Sequence, residues 1–276
     1  LEDSKAPILI TTTALHREIQ GSATDGKGQI LCLDDTRVQT AIQDQSTQPL
    51  TQAERTQPLT PQNLAYLIYT SGSTGKPKGA GNTHAGGCNL TKNQAAMLGV
   101  RTKSRILQFA SPAFDASFYE LAGSIFAGAA LVISTEWKST DSAKIVETFC
   151  NMQQGTHATI PPALLKAMPE ARLRALKTLV VAGEACPSDL VARYAAGRKM
   201  INAYGPTEAT VCATMSHPLD PVRDGSENPG SVTIGTPNWN TQIYILDPAL
   251  NPVPIGVVGE LYIAGAGLAR GYHDRP

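Results

Sequence analysis

From Leu64 onward, apolar residues gather in short runs that each end at a turn rich in Gly, Pro, Ser or Thr. Leu64 to Tyr69, Ile106 to Ala110, Ala158 to Ile160, Thr178 to Ala182 and Met200 to Ala203 read as strands, because short continuous apolar runs suit strands buried on both faces. Between several of them lie segments with helical spacing, such as Phe118, Leu121, Ala122 and Ile125, or Ala163, Leu164 and Ala167. This alternation predicts an α/β fold of largely parallel β-sheets flanked by helices. Thr241 to Leu246 and Glu260 to Ala264 are strand-like runs with no helix between them, so a hairpin is expected there. A boundary is therefore placed near Gly235, with residues 1–235 as an α/β core and 236–276 as the truncated start of a β-rich, barrel-like subdomain. The stretch 41–62 is rich in Gln, Thr, Ser and Pro and reads as a surface loop. Its repeated Thr-Gln-Pro-Leu-Thr, at Thr47 and Thr56, is too short for a functional array.

The chain has 276 residues, 42% of them hydrophobic, which is enough for a sizeable core. Lys and Arg total 23 against 23 Asp and Glu, so no long-range field draws nucleic acid or anionic lipid. The longest mainly apolar stretch, Leu121 to Ile133, is broken by Gly and Ser and falls short of the ~18 residues of a membrane span. The opening Leu-Glu-Asp-Ser-Lys has neither an initiator Met nor a signal-peptide pattern, so the chain reads as an excerpt. Five scattered cysteines without ligand spacing suggest reduced thiols and a cytoplasmic setting. The histidines lie apart, and no metal site is expected from them.

The most informative string runs from Leu64 to Gly79, where a strand empties into Thr70, Ser71, Gly72, Ser73, Thr74 and Gly75, followed by Lys76, Pro77 and Lys78. Gly permits close backbone approach, exposed N–H groups and hydroxyls face anionic oxygens, and the lysines add charge, so the loop suits phosphate. It is not a Walker loop, because Pro77 follows Lys76 where a hydroxyl residue is required. The blander alternative is a flexible Gly/Ser linker, but linkers seldom follow a buried strand with interleaved hydroxyls and lysines.

A second string, Phe114 to Leu121, puts Asp115 at the start of a helix, where a simple N-cap is the competing reading. A third, Asn202 to Ala209, offers an amide, an aromatic ring, a turn and Glu208; its blander reading is a turn with an exposed acid. Together with Gly183-Glu184-Ala185, these loops sit at the carboxyl ends of predicted parallel strands, where α/β sheets bind ligands. A nucleotide and a small molecule are the expected occupants.

From Asn63 to Pro276 the strings resemble the adenylation domains of nonribosomal peptide synthetases, in the superfamily that includes acyl-CoA synthetases and luciferases. The closing Gly259-Glu-Leu-Tyr-Ile-Ala-Gly-Ala-Gly-Leu-Ala-Arg-Gly-Tyr272 belongs to the match. The resemblance implies a ligase that uses ATP and Mg²⁺ to convert an amino acid to its adenylate. The acyl group would then pass to the phosphopantetheine thiol of a peptidyl carrier protein, among neighbouring synthetase modules in secondary metabolite biosynthesis. By motif, Thr70 to Gly75 with Lys78 would wrap the phosphates, Thr70 and Glu208 would reach the metal and act in catalysis, and Gly183, Glu184, Asn202, Tyr204, Gly205 and Thr207 would hold the nucleotide. Asp115 would pair with the substrate amino group. Ala116, Tyr119, Thr159, Val180 and Ala182 would complete the amino-acid pocket with Ala203, Val211 and Cys212.

Such a pocket is small and apolar, with one aromatic floor and no charge beyond Asp115, and resembles pockets for phenylalanine or another aromatic or large apolar residue. The chain departs from the family at Ala80-Gly81-Asn82-Thr83-His84, where a Val and further apolar residues are usual, and looser packing behind the phosphate loop is expected. The ribose-binding acid and the carboxyl-terminal lobe with its lysine would lie beyond Pro276, so this excerpt is expected to be weakly active at best. An acyl- or aryl-CoA ligase and a non-catalytic nucleotide-binding relic are the rivals.

Overall fold

A computed structural model describes residues 3–19, 28–71, 75–134, 141–169, 173, 175–224 and 232–275. The chain divides into two compact units, Leu1–Thr60 and Pro61–Pro276. In the first, β1 (Ile8–Thr11) pairs in parallel with β2 (Gln29–Cys32), with α1 (Thr13–Ile19) between them in sequence and α2 (Thr36–Gln43) following. Asp35 caps α2 by accepting the Arg37 N–H at 2.8 Å. All of 41–62 is exposed, as befits its polar composition.

The second unit opens with β3 (Leu64–Thr70), β4 (Lys78–Thr83) and α3 (His84–Leu98), and continues through β5 (Arg105–Gln108), α4 (Ala116–Phe126), β6 (Ala130–Ile133) and α5 (Ser142–Met152). Then come β7 (His157–Thr159), α6 (Pro162–Ala167), β8 (Thr178–Val181), α7 (Ser188–Tyr194), β9 (Lys199–Tyr204) and the short strands β10 (Thr214–Met215) and β11 (Thr236–Pro237). These form a seven-stranded sheet in the order β11-β10-β9-β8-β7-β5-β6. From β6 to β9 every pairing is parallel, and β10 and β11 add antiparallel edges. The expected hairpin forms between β12 (Thr241–Leu246) and β13 (Glu260–Gly265), and the last strand is β14 (Gly271–Tyr272).

Alternate residues of the central strands point to opposite faces, as the period of two requires. Leu107, Leu179, Val181 and Met200 pack with Val146, Phe149, Leu165, Leu190 and Tyr194, so α5, α6 and α7 cover one face. Ile106, Val180, Ile201 and Ala203 pack with Leu90, Leu98 and Tyr119, which places α3 and α4 on the other.

Two elements differ from the simple alternation. Strand β3 lies outside the parallel sheet and pairs antiparallel with β4, which also pairs with β14. The chain between β3 and β4 is far shorter than the dozen or so residues a parallel crossover needs, so reversal is forced. On α4 the apolar spacing does not mark the buried side: Leu121 and Ile125 are 44% and 66% exposed, while Tyr119, Glu120, Ala122, Gly123 and Ser124 face inward.

Candidate active site

The carboxyl ends of β5, β7, β8 and β9 open into a cavity of about 470 Å³, a volume suited to a small molecule. Asp115, Ala116, Thr159, Ala182, Ala203 and Val211 line it, together with Phe109, Phe114, Gly183, Glu184 and Gly205. Strand register brings these side chains together, since Thr159 lies opposite Val180 and Val181 opposite Asn202. Tyr119, Val180 and Cys212 are buried in the α3/α4 core and do not line the cavity directly. The Tyr119 ring is 4% exposed, and its hydroxyl is buried with no hydrogen-bond partner among the described residues.

Asp115 occupies the N-cap position of α4 but makes no capping bond, so the simple cap reading fails. Burial raises its carboxyl above the usual carboxylate range and the neighbouring Glu208 charge adds to this, while hydrogen bonds, foremost from the Thr207 hydroxyl, pull it back. The same interactions place the Thr207–Glu208 turn beside Asp115. The Tyr66 ring of β3 packs on Phe118 of α4 at 4.3 Å between centroids, pinning the helix start.

Beyond β8, Gly183 takes φ +88, a conformation that L side chains rarely adopt, and the space where a Cβ would project is open. Tyr204 ends β9 with 39% of its surface exposed. At Gly205 a Cβ would lie 2.5 Å from the Cys212 Cα and the Ala213 nitrogen, so only Gly permits this close approach. Asn202 is 4% exposed and donates its amide to the Thr233 carbonyl at 3.0 Å, behind the cavity. Glu184 is exposed at the rim and accepts the Ala163 N–H at 3.1 Å.

Of the loop expected to hold phosphate, Gly72, Ser73 and Thr74 lie outside the described residues. Thr70 donates to the Lys78 carbonyl at 3.4 Å, Ser71 is exposed, and Gly75 takes φ +77. The loop's exit is tied to the Glu208 turn by Tyr272: its hydroxyl donates to Glu208 Oε1 at 2.7 Å, and Lys78 Nζ sits 5.3 Å from its ring centroid. Asn82 adds a second tie, donating to the Thr207 carbonyl at 3.1 Å and accepting from the Thr210 hydroxyl at 3.1 Å. Thr210 and Val211 hold φ of 53 and 70, strained for β-branched residues, and this tight turn aims Val211 at the cavity.

The structure corrects two expectations. Packing behind the phosphate loop is not loosened, because Ala80 and Asn82 are fully buried and a Cβ on Gly81 would lie 3.0 Å from Leu64 Cδ2. Asp115 is also not the only acid in the wall: Glu120 lines the cavity as well, and Glu184 stands at its edge. Glu120 follows Ala116 by four residues, so helical spacing alone puts it on the Asp115 side of α4. Tyr272 had no local signal, since it meets Glu208 across 64 residues of sequence.

The cavity lies where loops leave the carboxyl ends of parallel strands, the place at which open α/β sheets bind ligands. Residues 1–273 match the family model of the AMP-binding enzymes, and the chain belongs to that family. It is 50% identical over 213 residues to a probable non-canonical nonribosomal peptide synthetase, CymA, of Salinispora arenicola, covering 76% of this chain and 3% of that protein. It is 38% identical over 280 residues to gramicidin S synthase 1 of Brevibacillus brevis, covering 100% of this chain and 24% of that one. The chain thus spans only a small part of the length of these relatives. Among solved structures, the AMPPNP-bound peptide synthetase FmoA3 superposes with a TM-score of 0.83 at 29% identity, over 100% of this chain and 29% of that one. An artificially fused adenylation–PCP di-domain from Klebsiella oxytoca, NpsA-ThdA, gives 0.82 at 25% identity, over 99% and 52%. No helix among the described residues is long and apolar enough to cross a membrane.

Proposed function

We propose that the chain is the ATP- and amino-acid-binding part of an adenylation domain of a nonribosomal peptide synthetase. The observation that carries this reading is the cavity lined by Asp115, which stands beside the Thr207–Glu208 turn, itself tied through Tyr272 to the exit of the phosphate loop. The relatives' names and the AMPPNP in the FmoA3 structure support ATP as co-substrate.

The amino acid enters with its ammonium group on Asp115 and its side chain among Ala116, Thr159, Ala182, Ala203 and Val211. Its carboxylate oxygen attacks the α-phosphorus of ATP, the bond from that phosphorus to the β-phosphate oxygen breaks, and pyrophosphate leaves with the electron pair. A carboxylic acid with a pKa near ~4 is ionised at neutral pH, so no general base is required and the residues act by positioning and charge neutralisation. Backbone N–H groups of the loop that starts at Thr70 hold the phosphates with Lys78, Gly183 leaves room for the nucleotide, Gly205 lets the turn close on Cys212, and Tyr204 offers a ring for adenine, with Asn202 bracing the strand behind it. Thr70 and Glu208 present only oxygen donors, which fits a hard cation such as Mg²⁺, and Tyr272 engages one Glu208 oxygen and leaves the other. Bound there, Mg²⁺ would supply charge neutralisation of the phosphate oxygens.

The sulfur of a carrier-protein phosphopantetheine thiol next attacks the acyl carbon, the bond from that carbon to the phosphate oxygen breaks and AMP leaves. Such a partner is in keeping with the adenylation–PCP fusion among the neighbours. Burial pushes the Glu120 carboxyl up to about 8, so this second wall acid is uncharged at neutral pH and the pocket still favours a large apolar or aromatic side chain.

The test is exchange of labelled pyrophosphate into ATP by the full-length protein across an acid panel. Exchange that depends on an amino acid supports the proposal. Exchange only with aryl or fatty acids points to a CoA ligase, and none at all to a nucleotide-binding relic.

A further inference from the structure

One buried acid in the cavity wall is not used by the chemistry above. Glu120 is 1% exposed. Its Oε2 accepts the Phe109 N–H at 3.0 Å and the Ala110 N–H at 3.1 Å, and Oε1 lies 3.3 Å from the same Ala110 nitrogen. Those amides are the first two beyond β5, where the chain leaves the sheet and has no strand partner. The turn that follows is compact: the Gln108 amide donates to the Ala110 carbonyl at 2.7 Å, and the Phe114 N–H to the Ser111 carbonyl at 2.9 Å. It returns at Asp115, on the first turn of the helix that carries Glu120. Phe109, Ala110 and Asp115 all line the cavity. One carboxyl group therefore sets the separation between a wall of the cavity and the helix start that bears its recognition acid.

We propose that Glu120 is a positioning residue for amino-acid recognition, holding the end of β5 against α4 so that Asp115 meets the substrate ammonium group. This rests on the assignment of Asp115 to that group. Burial raises the Glu120 carboxyl to about 8 against the opposing pull of the Ala110 and Phe109 amides, so near neutral pH it serves as a hydrogen-bond acceptor and spacer rather than as a counter-ion.

The experiment measures pyrophosphate exchange by the full-length protein, varying amino acid and ATP separately, for Glu120→Ala, Glu120→Gln, Asp115→Asn and the double variant Glu120→Ala/Asp115→Asn. Glu120→Ala should raise the amino-acid KM about 10-fold with the ATP KM within about 2-fold of the parent, and Glu120→Gln, which keeps a carbonyl acceptor at similar volume, should stay within about 3-fold. Added to Asp115→Asn, Glu120→Ala should raise the amino-acid KM no further, because it acts through Asp115. Should Glu120→Ala not accumulate as folded protein, Glu120→Met, which keeps bulk without an acceptor, takes its place with the same expected results. Equal rises in both KM values, a Gln variant as impaired as Ala, or a full additional effect in the double variant would each overturn the proposal. If Asp115→Asn alone leaves the amino-acid KM unchanged, the assignment of Asp115 fails first, and the Glu120 proposal with it.

Discussion

Asn82 offers a quantitative test of how the phosphate-loop strand is joined to the Glu208 turn. Its side chain is fully buried on β4 and bridges to Thr207 and Thr210. In Asn82→Ala the Thr207 carbonyl loses its Nδ2 donor, whereas the Thr210 hydroxyl keeps the Gly267 carbonyl at 2.6 Å. The Thr207 carbonyl keeps the Thr210 N–H at 3.3 Å, so one lost hydrogen bond at a buried side chain gives a cost of about 1–2 kcal/mol. Thr210→Val removes the other end of the bridge, so the two substitutions should couple by about 1 kcal/mol rather than add. Urea unfolding of the parent, both single variants and the double variant measures this directly. Because the turn also carries Glu208, the Asn82 variant should bind ATP more weakly even at temperatures where it is fully folded. A cost below about 0.5 kcal/mol, or strict additivity within about 0.3 kcal/mol, would refute the bridge.

Three further outcomes follow from the same geometry. Asp115→Asn removes the charge expected to face the ammonium group and should raise the amino-acid KM in pyrophosphate exchange by about 10- to 100-fold, with ATP affinity unchanged in a direct binding assay. Gly205→Ala drives a Cβ to 2.5 Å from the Cys212 Cα and the Ala213 nitrogen, both backbone atoms, and should lower stability by about 2–3 kcal/mol in thermal unfolding. Glu120 binds its proton more tightly when folded, near 8 against an ordinary value of 4.5, so its contribution to stability is full at acid pH and is lost as pH rises through about 8. Glu120→Gln should therefore flatten the fall of Tm between about pH 5 and pH 8.5, and an unchanged slope would count against the buried proton.

Much of the central sheet was legible because its strands are short, apolar on both faces and ended by turn residues, as at Thr178–Val181 and Lys199–Tyr204. The same composition hid the pairing of β3. A continuous apolar run does not distinguish parallel from antiparallel neighbours, and only the short connection 71–77 carried that information. Asp115, Thr159, Ala182 and Val211 were found by motif, and the strand ends bring them to one cavity. The ties between these elements carry no local sequence signal because they join residues far apart in the chain: Asn82 to Thr207 and Tyr272 to Glu208. Glu120 was within reach of helical spacing, but its value depends on two backbone amides that no side-chain pattern announces.

The most direct measurement of the central claim is a crystal structure of the full-length protein with a non-hydrolysable aminoacyl sulfamoyl adenosine. The ammonium group should lie within about 2.7–3.2 Å of an Asp115 carboxylate oxygen, with adenine against Tyr204 beside Gly183 and the sulfamoyl linkage turned toward the Thr70 loop and Glu208. A ligand seated elsewhere, or one in this cavity with its ammonium group turned away from Asp115, would contradict the account.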